Sequence, residues 1–268
     1  MPYSTRNGLK IHYEVHGDGP ALIFIHANPF DRRLWMYQVA RFSPFYRVIS
    51  VDLRGYGLSD KPETPFNLRD MTNDILGICQ DEKIDKAIFC GCSVGSGISM
   101  LIGLEHPQLA QAVILVGGSS SGPRDAHAIA AGFLGKDTGE YLMGLMRGYV
   151  APGFADTPLG SWLLKLFVEN AHTLSQKCIG QIFIARGSHD MTAQLPGMKT
   201  PTLIINGEHD VSLEAGAHSA SLIPGAEHFV LKNTGHACCI EDPHGFDAAM
   251  IAFLKRNNLV PEGALRHS

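Results

Sequence analysis

Cys90-Gly91-Cys92-Ser93-Val94-Gly95-Ser96-Gly97 joins a short apolar run, Ala87 to Gly91, to a stretch where Val94, Ile98, Leu101 and Ile102 recur at helical spacing before Pro107. A buried strand therefore meets a helix at Ser93. Within G-x-S-x-G, the small residues two before and two after the serine let strand and helix approach closely enough for a sharp, strained turn. That turn presents the Ser93 hydroxyl at a helix N-terminus, where backbone N–H groups and the helix dipole favour developing negative charge.

The same alternation extends outward in both directions. Leu9 to Val15, Ala21 to His26, Tyr46 to Leu53, Gln111 to Val116, Thr202 to Asn206 and His228 to Leu231 read as further strands. Helices are expected from an Asp31 N-cap to Ser43-Pro44, over Leu68 to Gln80, from Ser93 to just before Pro107, up to about Leu222, and from Pro243 to Lys255. Strand–helix alternation of this kind predicts an α/β protein with a mainly parallel sheet flanked by helices. Between Gly117 and Pro201 the rhythm breaks, with helices expected near Gly139 to Tyr149 and Ser161 to Ala171. Residues 119–196 are thus expected to form a helical cap inserted into an α/β core made of residues 1–118 and 197–268.

The 268 residues are 45% apolar and 18% charged, a globular composition able to bury a large core. A net charge of −4 offers no positive field for phosphate backbones or anionic lipid, so neither nucleic acid nor membrane is expected as a partner. The polar start, Met1 to Lys10, and the strand-sized length of the longest apolar runs predict a cytoplasmic, non-spanning chain. The six cysteines, at 79, 90, 92, 178, 238 and 239, lack disulfide-framework or zinc-like spacing and are expected as buried free thiols. No metal or organic cofactor is expected; the partner is a small-molecule substrate.

A serine hydroxyl needs a general base, and the base needs an orienting acid. Two aspartates compete for the latter. Asp210 follows the strand Thr202 to Asn206 through Gly207-Glu208-His209, whereas Asp190 lies in the insertion after Gln181 to Arg186. A strand end is the more rigid platform, which favours Asp210. Among thirteen histidines, His236 stands out because it follows the strand His228 to Leu231 through Lys232-Asn233-Thr234-Gly235.

With Ser93, Asp210 and His236 in that order, the chain resembles the α/β-hydrolase superfamily, nearly end to end outside the insertion. His26-Ala27-Asn28-Pro29-Phe30-Asp31 to Trp35 is similar to the family's H-G-x-P loop, with alanine for the usual glycine. Asp52-Leu53-Arg54-Gly55-Tyr56-Gly57-Leu58-Ser59 is similar to its D-x-R-G-x-G-x-S segment. The resemblance implies an oxyanion hole from the backbone N–H groups of Asn28 and Val94, and Asp31 and Arg54 are expected to pair and hold the two loops together. His26-Ala27-Asn28-Pro29 also looks like the loop of haloalkane dehalogenases, but those and the epoxide hydrolases attack with aspartate at the position of Ser93. Carbon–carbon hydrolases usually carry tryptophan after the histidine, where this chain has Ala237. What remains closest is the group of enol-lactonases, lactonases and small carboxylesterases, which implies ester or lactone hydrolysis through an acyl-enzyme.

Two other readings of the same residues stay open. One is carbon–carbon hydrolysis or a cofactor-free lyase or oxygenase reaction, and the other is a small-molecule receptor that keeps the triad. Met143, Met146, Trp162 and Phe167 of the insertion are expected to wall an apolar substrate pocket.

Overall fold

In the computed structural model, which describes residues 2–262, the alternating runs pair into one eight-stranded sheet. Residue 1 and residues 263–268, the ends of the expected core, lie outside the described residues. The chain enters through β1 (Tyr3–Arg6), β2 (Leu9–His16) and β3 (Ala21–Ile25), followed by α1 (Met36–Phe42), β4 (Arg47–Val51) and α2 (Leu68–Asp81). Then come β5 (Ala87–Cys92), α3 (Val94–Glu105) and β6 (Ala110–Val116). Four helices follow without a strand: α4 (Ala126–Phe133), α5 (Thr138–Tyr149), α6 (Pro158–Val168) and α7 (Gln176–Gly187). The sheet resumes with β7 (Thr202–Gly207), α8 (Leu213–Leu222), β8 (Glu227–Leu231), α9 (Cys238–Glu241) and α10 (Pro243–Arg256).

Strand order is β1-β2-β4-β3-β5-β6-β7-β8. β1 and β2, and β2 and β4, pair antiparallel, while every pair from β4 through β3, β5, β6 and β7 to β8 is parallel. All residues of β3, β5 and β7 are buried. Because side chains alternate between the two faces of a strand, burial without alternation requires helices over both faces. The sequence shows this directly, since ALIFI and AIFCGC are continuous apolar runs.

Asn67 starts α2 with a capping box. Its side chain accepts from the Arg69 and Asp70 amides, and Asp70 accepts in return from the Asn67 amide. The segment after Asp31 differs from the single helix expected. It opens as a 3-10 turn over Arg32–Trp35, capped by the Asp31 carboxylate on Arg33 N–H at 2.9 Å, before α1 begins. The helix expected over Ser161 to Ala171 instead runs Pro158–Val168, with Thr157 as N-cap and Pro158 at its first position.

The loops are held differently from the expected Asp31–Arg54 pair. Arg54 grips Asp74 on α2 with two hydrogen bonds of 2.7 and 2.8 Å, and Asp31 pairs with Arg33. The reason is local reach. Arg33 is two residues from Asp31, and the buried Asp74 carboxylate would otherwise stand uncompensated beside Arg54.

The fold brings five strand ends together. With β3, β5, β6, β7 and β8 parallel, the residues that follow them all emerge at one edge of the sheet. In open α/β sheets that edge is where ligands bind.

Candidate active site

Ser93 follows β5 with φ +54°, a conformation that L-residues seldom adopt, so the turn holds its serine under backbone strain. The flanking glycines are obligatory. A Cβ on Gly91 would lie 2.0 Å from the Gly95 carbonyl oxygen, and one on Gly95 would lie 2.2 Å from that of Ile25. The turn is tied to the next strand by Ser93 N–H donating to the Val116 carbonyl at 2.8 Å.

Asp210 and His236 meet across the ends of β7 and β8, His236 Nδ1 lying 2.7 Å from Asp210 Oδ1. The aspartate is itself held in place. Its carboxylate accepts from Ser212 N–H and the Ser212 hydroxyl at 2.8 and 2.9 Å, and from Asn206 Nδ2 at 2.8 Å. Burial opposes the charge of Asp210, but the imidazole and these donors prevail and hold its carboxyl down to about 2. Burial likewise works against protonation of His236, and the Asp210 carboxylate outweighs it, raising the imidazole above its ordinary value. With Nδ1 donating to a carboxylate, Nε2 is the basic nitrogen.

The ring of His236 fits against Gly117, the first residue after β6, and beside Tyr149, with ring centroids 5.1 Å apart. A Cβ on Gly117 would lie 2.6 Å from His236 Cε1 and 2.7 Å from Nδ1. Only glycine leaves room for the imidazole.

Ser93, His236, Asn28 and Val94 all line one cavity of about 350 Å³. Among the described residues the Ser93 hydroxyl makes no hydrogen bond, and the Asn28 and Val94 amides donate to no protein acceptor. These three groups are available to a bound molecule. The Asn28 side chain is fixed from both ends, accepting from the Tyr56 hydroxyl and donating to the Ile179 carbonyl at 3.4 Å.

Asp190 stands apart from this group. It is exposed, and its Oδ1 caps its own turn by accepting from the Thr192 amide and hydroxyl at 2.8 and 2.6 Å.

The expected apolar wall is corrected by the structure. Met143, Met146, Trp162 and Phe167 are absent from the cavity that holds Ser93. Met146 is fully buried and Met143 packs on the core, Phe167 packs edge-on against Phe30 at 4.9 Å, and Trp162 is 55% exposed. The wall comes instead from Ile182 and Phe183 of α7, Tyr149 at the end of α5, Val211 just before α8 and Ala215 within it. Helical periodicity shows which side of α5 or α6 is apolar, but not which neighbour that side meets.

Glu241 escaped the sequence reading altogether. One carboxylate oxygen accepts from Ala151 N–H at 2.7 Å and the other from Gly235 N–H at 2.9 Å, tying the end of α5 to the His236 loop. Burial pushes its carboxyl up to about 7 despite those amides. Asn206, the last residue but one of β7, carries no sequence signal beyond that of a strand residue. Among the described residues no group of three or more His, Cys, Asp or Glu side chains is placed to hold a metal ion. All six cysteines are buried and free. No helix among the described residues is long and apolar enough to cross a membrane.

Comparison with known proteins places the chain among proteins of the same fold. Residues 20–157 match the family model for the alpha/beta hydrolase fold. A 3-oxoadipate enol-lactonase from Acinetobacter baylyi is 26% identical over 95% of this chain and 96% of its own length. A 2-(acetamidomethylene)succinate hydrolase from Mesorhizobium japonicum is 25% identical over 83% and 86%. Among solved structures, the enol-lactonase from Burkholderia xenovorans LB400 superposes with a TM-score of 0.88 at 24% identity, over 95% of this chain and all of the other.

Proposed function

The chain belongs to the α/β-hydrolase family, and from that premise we propose that it cleaves a carboxylic ester or lactone through an acyl-enzyme formed on Ser93. The observation that carries this reading is the shared cavity. A serine on a strained turn and an imidazole already hydrogen-bonded to a carboxylate open onto the same space, beside two unpaired backbone amides.

In the proposed reaction His236 Nε2 takes the Ser93 proton as Oγ bonds to the substrate carbonyl carbon. That transfer requires the two groups to come within about 2.6–3.2 Å in the substrate complex. The carbonyl π electrons move to oxygen, and the Asn28 and Val94 amides stabilise the oxyanion. Asp210 keeps the imidazole tautomer and stabilises the imidazolium. When the tetrahedral intermediate collapses, the acyl–oxygen bond breaks and the leaving alkoxide takes the proton from His236. Water, deprotonated by His236, then releases the acid from Ser93. For a lactone the alcohol and acid are one product.

The 3-oxoadipate enol-lactonase relative supports lactone chemistry, and Ala237 stands after the histidine where carbon–carbon hydrolases usually carry tryptophan. Product analysis tests it. Aryl esters, lactones and β-diketones are offered to wild type and Ser93→Ala. Acid and alcohol from esters or lactones, lost in the variant, are expected. Cleavage of the β-diketone alone, or ester turnover above a tenth of wild type in Ser93→Ala, would contradict the proposal.

A further inference from the structure

The charged residues lining the Ser93 cavity are two arginines, Arg124 and Arg186, with no aspartate or glutamate among the described residues that line it. In a chain of net charge −4, that is a local inversion of sign. Arg124 is exposed. Arg186 is only 5% exposed, on α7 one turn beyond Ile182 and Phe183, so its side chain belongs to the face that covers the cavity.

The hydrogen-bond partners of Arg186 supply no countercharge. Nη2 donates to the Ser119 carbonyl at 2.6 Å and Nη1 to the His189 carbonyl at 3.1 Å. Carbonyls accept hydrogen bonds but carry no countercharge, and among the described residues no carboxylate forms an ion pair with Arg186. The nearby Asp190 is exposed and engaged with Thr192. Burial lowers the guanidinium to about 10 although the charge of Asp190 works the other way, which leaves it protonated at neutral pH and poorly solvated. A buried charge of this kind is costly unless something of opposite sign reaches it.

Its place relative to Ser93 is fixed by a glycine. A Cβ on Gly97 would lie 2.7 Å from Arg186 Nε, so the guanidinium lies against α3 one turn after Ser93, about 5.4 Å of helix rise. We propose that Arg186 is an anion-binding subsite of this cavity, and that the substrate is an ester or lactone bearing a carboxylate a few bonds from the scissile carbonyl. The substrate class rests on hydrolysis at Ser93; the subsite itself does not. Arginine suits the task because its planar fork matches a carboxylate and its charge persists at any physiological pH.

Two measurements separate the proposals. The first compares kcat/KM for 4-nitrophenyl hydrogen glutarate with that for its methyl ester, in wild type, Arg186→Gln and Arg186→Lys, with folding followed by thermal melt. Wild type is expected to prefer the acid. The acid-to-ester ratio should fall at least about tenfold in Arg186→Gln, as for loss of a charged hydrogen bond, and less in Arg186→Lys. A wild-type ratio of one or below, or a ratio that Arg186→Gln leaves within about twofold, overturns the subsite. The second needs neither turnover nor the glutamine variant. Calorimetry on Ser93→Ala should detect monomethyl glutarate binding that weakens with added salt, and weaker or absent binding of dimethyl glutarate. Equal affinity for both, or binding of neither, overturns the subsite. Salt-sensitive binding of the acid without turnover of either ester by wild type would leave the subsite standing and remove hydrolysis at Ser93.

Discussion

The edge of the sheet and the helical stretch between β6 and β7 face the same cavity, yet they are built on different terms. At the edge, each site residue follows a strand whose ladder fixes its position. Ser93 stands after β5, Gly117 after β6, Asp210 after β7 and His236 after β8. In the stretch from α4 to α7, residues reach the cavity by the way helices happen to lean on one another. Ile182, Phe183 and Arg186 do so from α7, while the equally apolar Met146 points into packed interior. Ladder-held positions suit groups that must align within fractions of an ångström, and helix faces suit groups that select by size and charge. The proposed division is thus chemistry on the sheet and selection on the helices.

The largest effect expected from that division separates the two aspartates. Asp210→Asn should lower kcat by roughly 10⁴-fold, because an amide at that place favours the wrong imidazole tautomer. Asp190→Asn, in its exposed turn, should leave kcat nearly unchanged. The acid limb of the rate profile follows as well. Asp210 raises the His236 imidazole, and activity requires that imidazole neutral, so removing the charge should move the midpoint to lower pH. Steady-state rates across pH would show both, and a larger loss from Asp190→Asn would reverse the assignment.

Gly117→Ala comes next. Its Cβ would fall on the His236 ring, and its φ of +55° already disfavours a side chain. A displacement of about 1 Å at a catalytic group can cost about 10²-fold in rate, so a loss of that order is expected with Tm lowered only modestly. Full activity in a folded variant would mean that the imidazole has room the structure does not show.

The smallest effects lie in the helices. Phe183→Ala should change the kcat/KM ratio between a bulky ester and an acetate by about tenfold, from the loss of apolar contact. Trp162→Ala, at an exposed site, should alter it by less than about twofold. Equal losses on both esters from Phe183→Ala would place α7 in the chemistry rather than in selection.

The same contrast explains what the sequence disclosed. Buried parallel strands announce themselves as apolar runs, and the turns after them follow at once, so the sequence singles out Ser93, Asp210 and His236 as candidates at strand ends, and the family resemblance adds Asn28. Arg186 could not. It lies on a helix whose twelve residues carry no marked apolar stripe, and its burial follows from α4 and α3 packing on either side. The first strand was also missed, although Asn7-Gly8 signals it. Both residues have positive φ, at 52° and 80°, in the tight turn that folds Tyr3–Arg6 back along Leu9 to His12. The loop motifs suggest Asp31 and Arg54 as partners, whereas Arg33 and Asp74 are the ones each meets in the fold.

Covalent labelling tests the central claim most directly. A fluorophosphonate that reacts only with an activated serine is incubated with wild type and with His236→Ala, and the modified peptide is identified by mass spectrometry. The account predicts one phosphonyl group per chain, on Ser93, with loss of esterase activity in proportion to labelling, and labelling slowed by orders of magnitude in His236→Ala. Labelling at another residue, or equal rates in the two proteins, would contradict it.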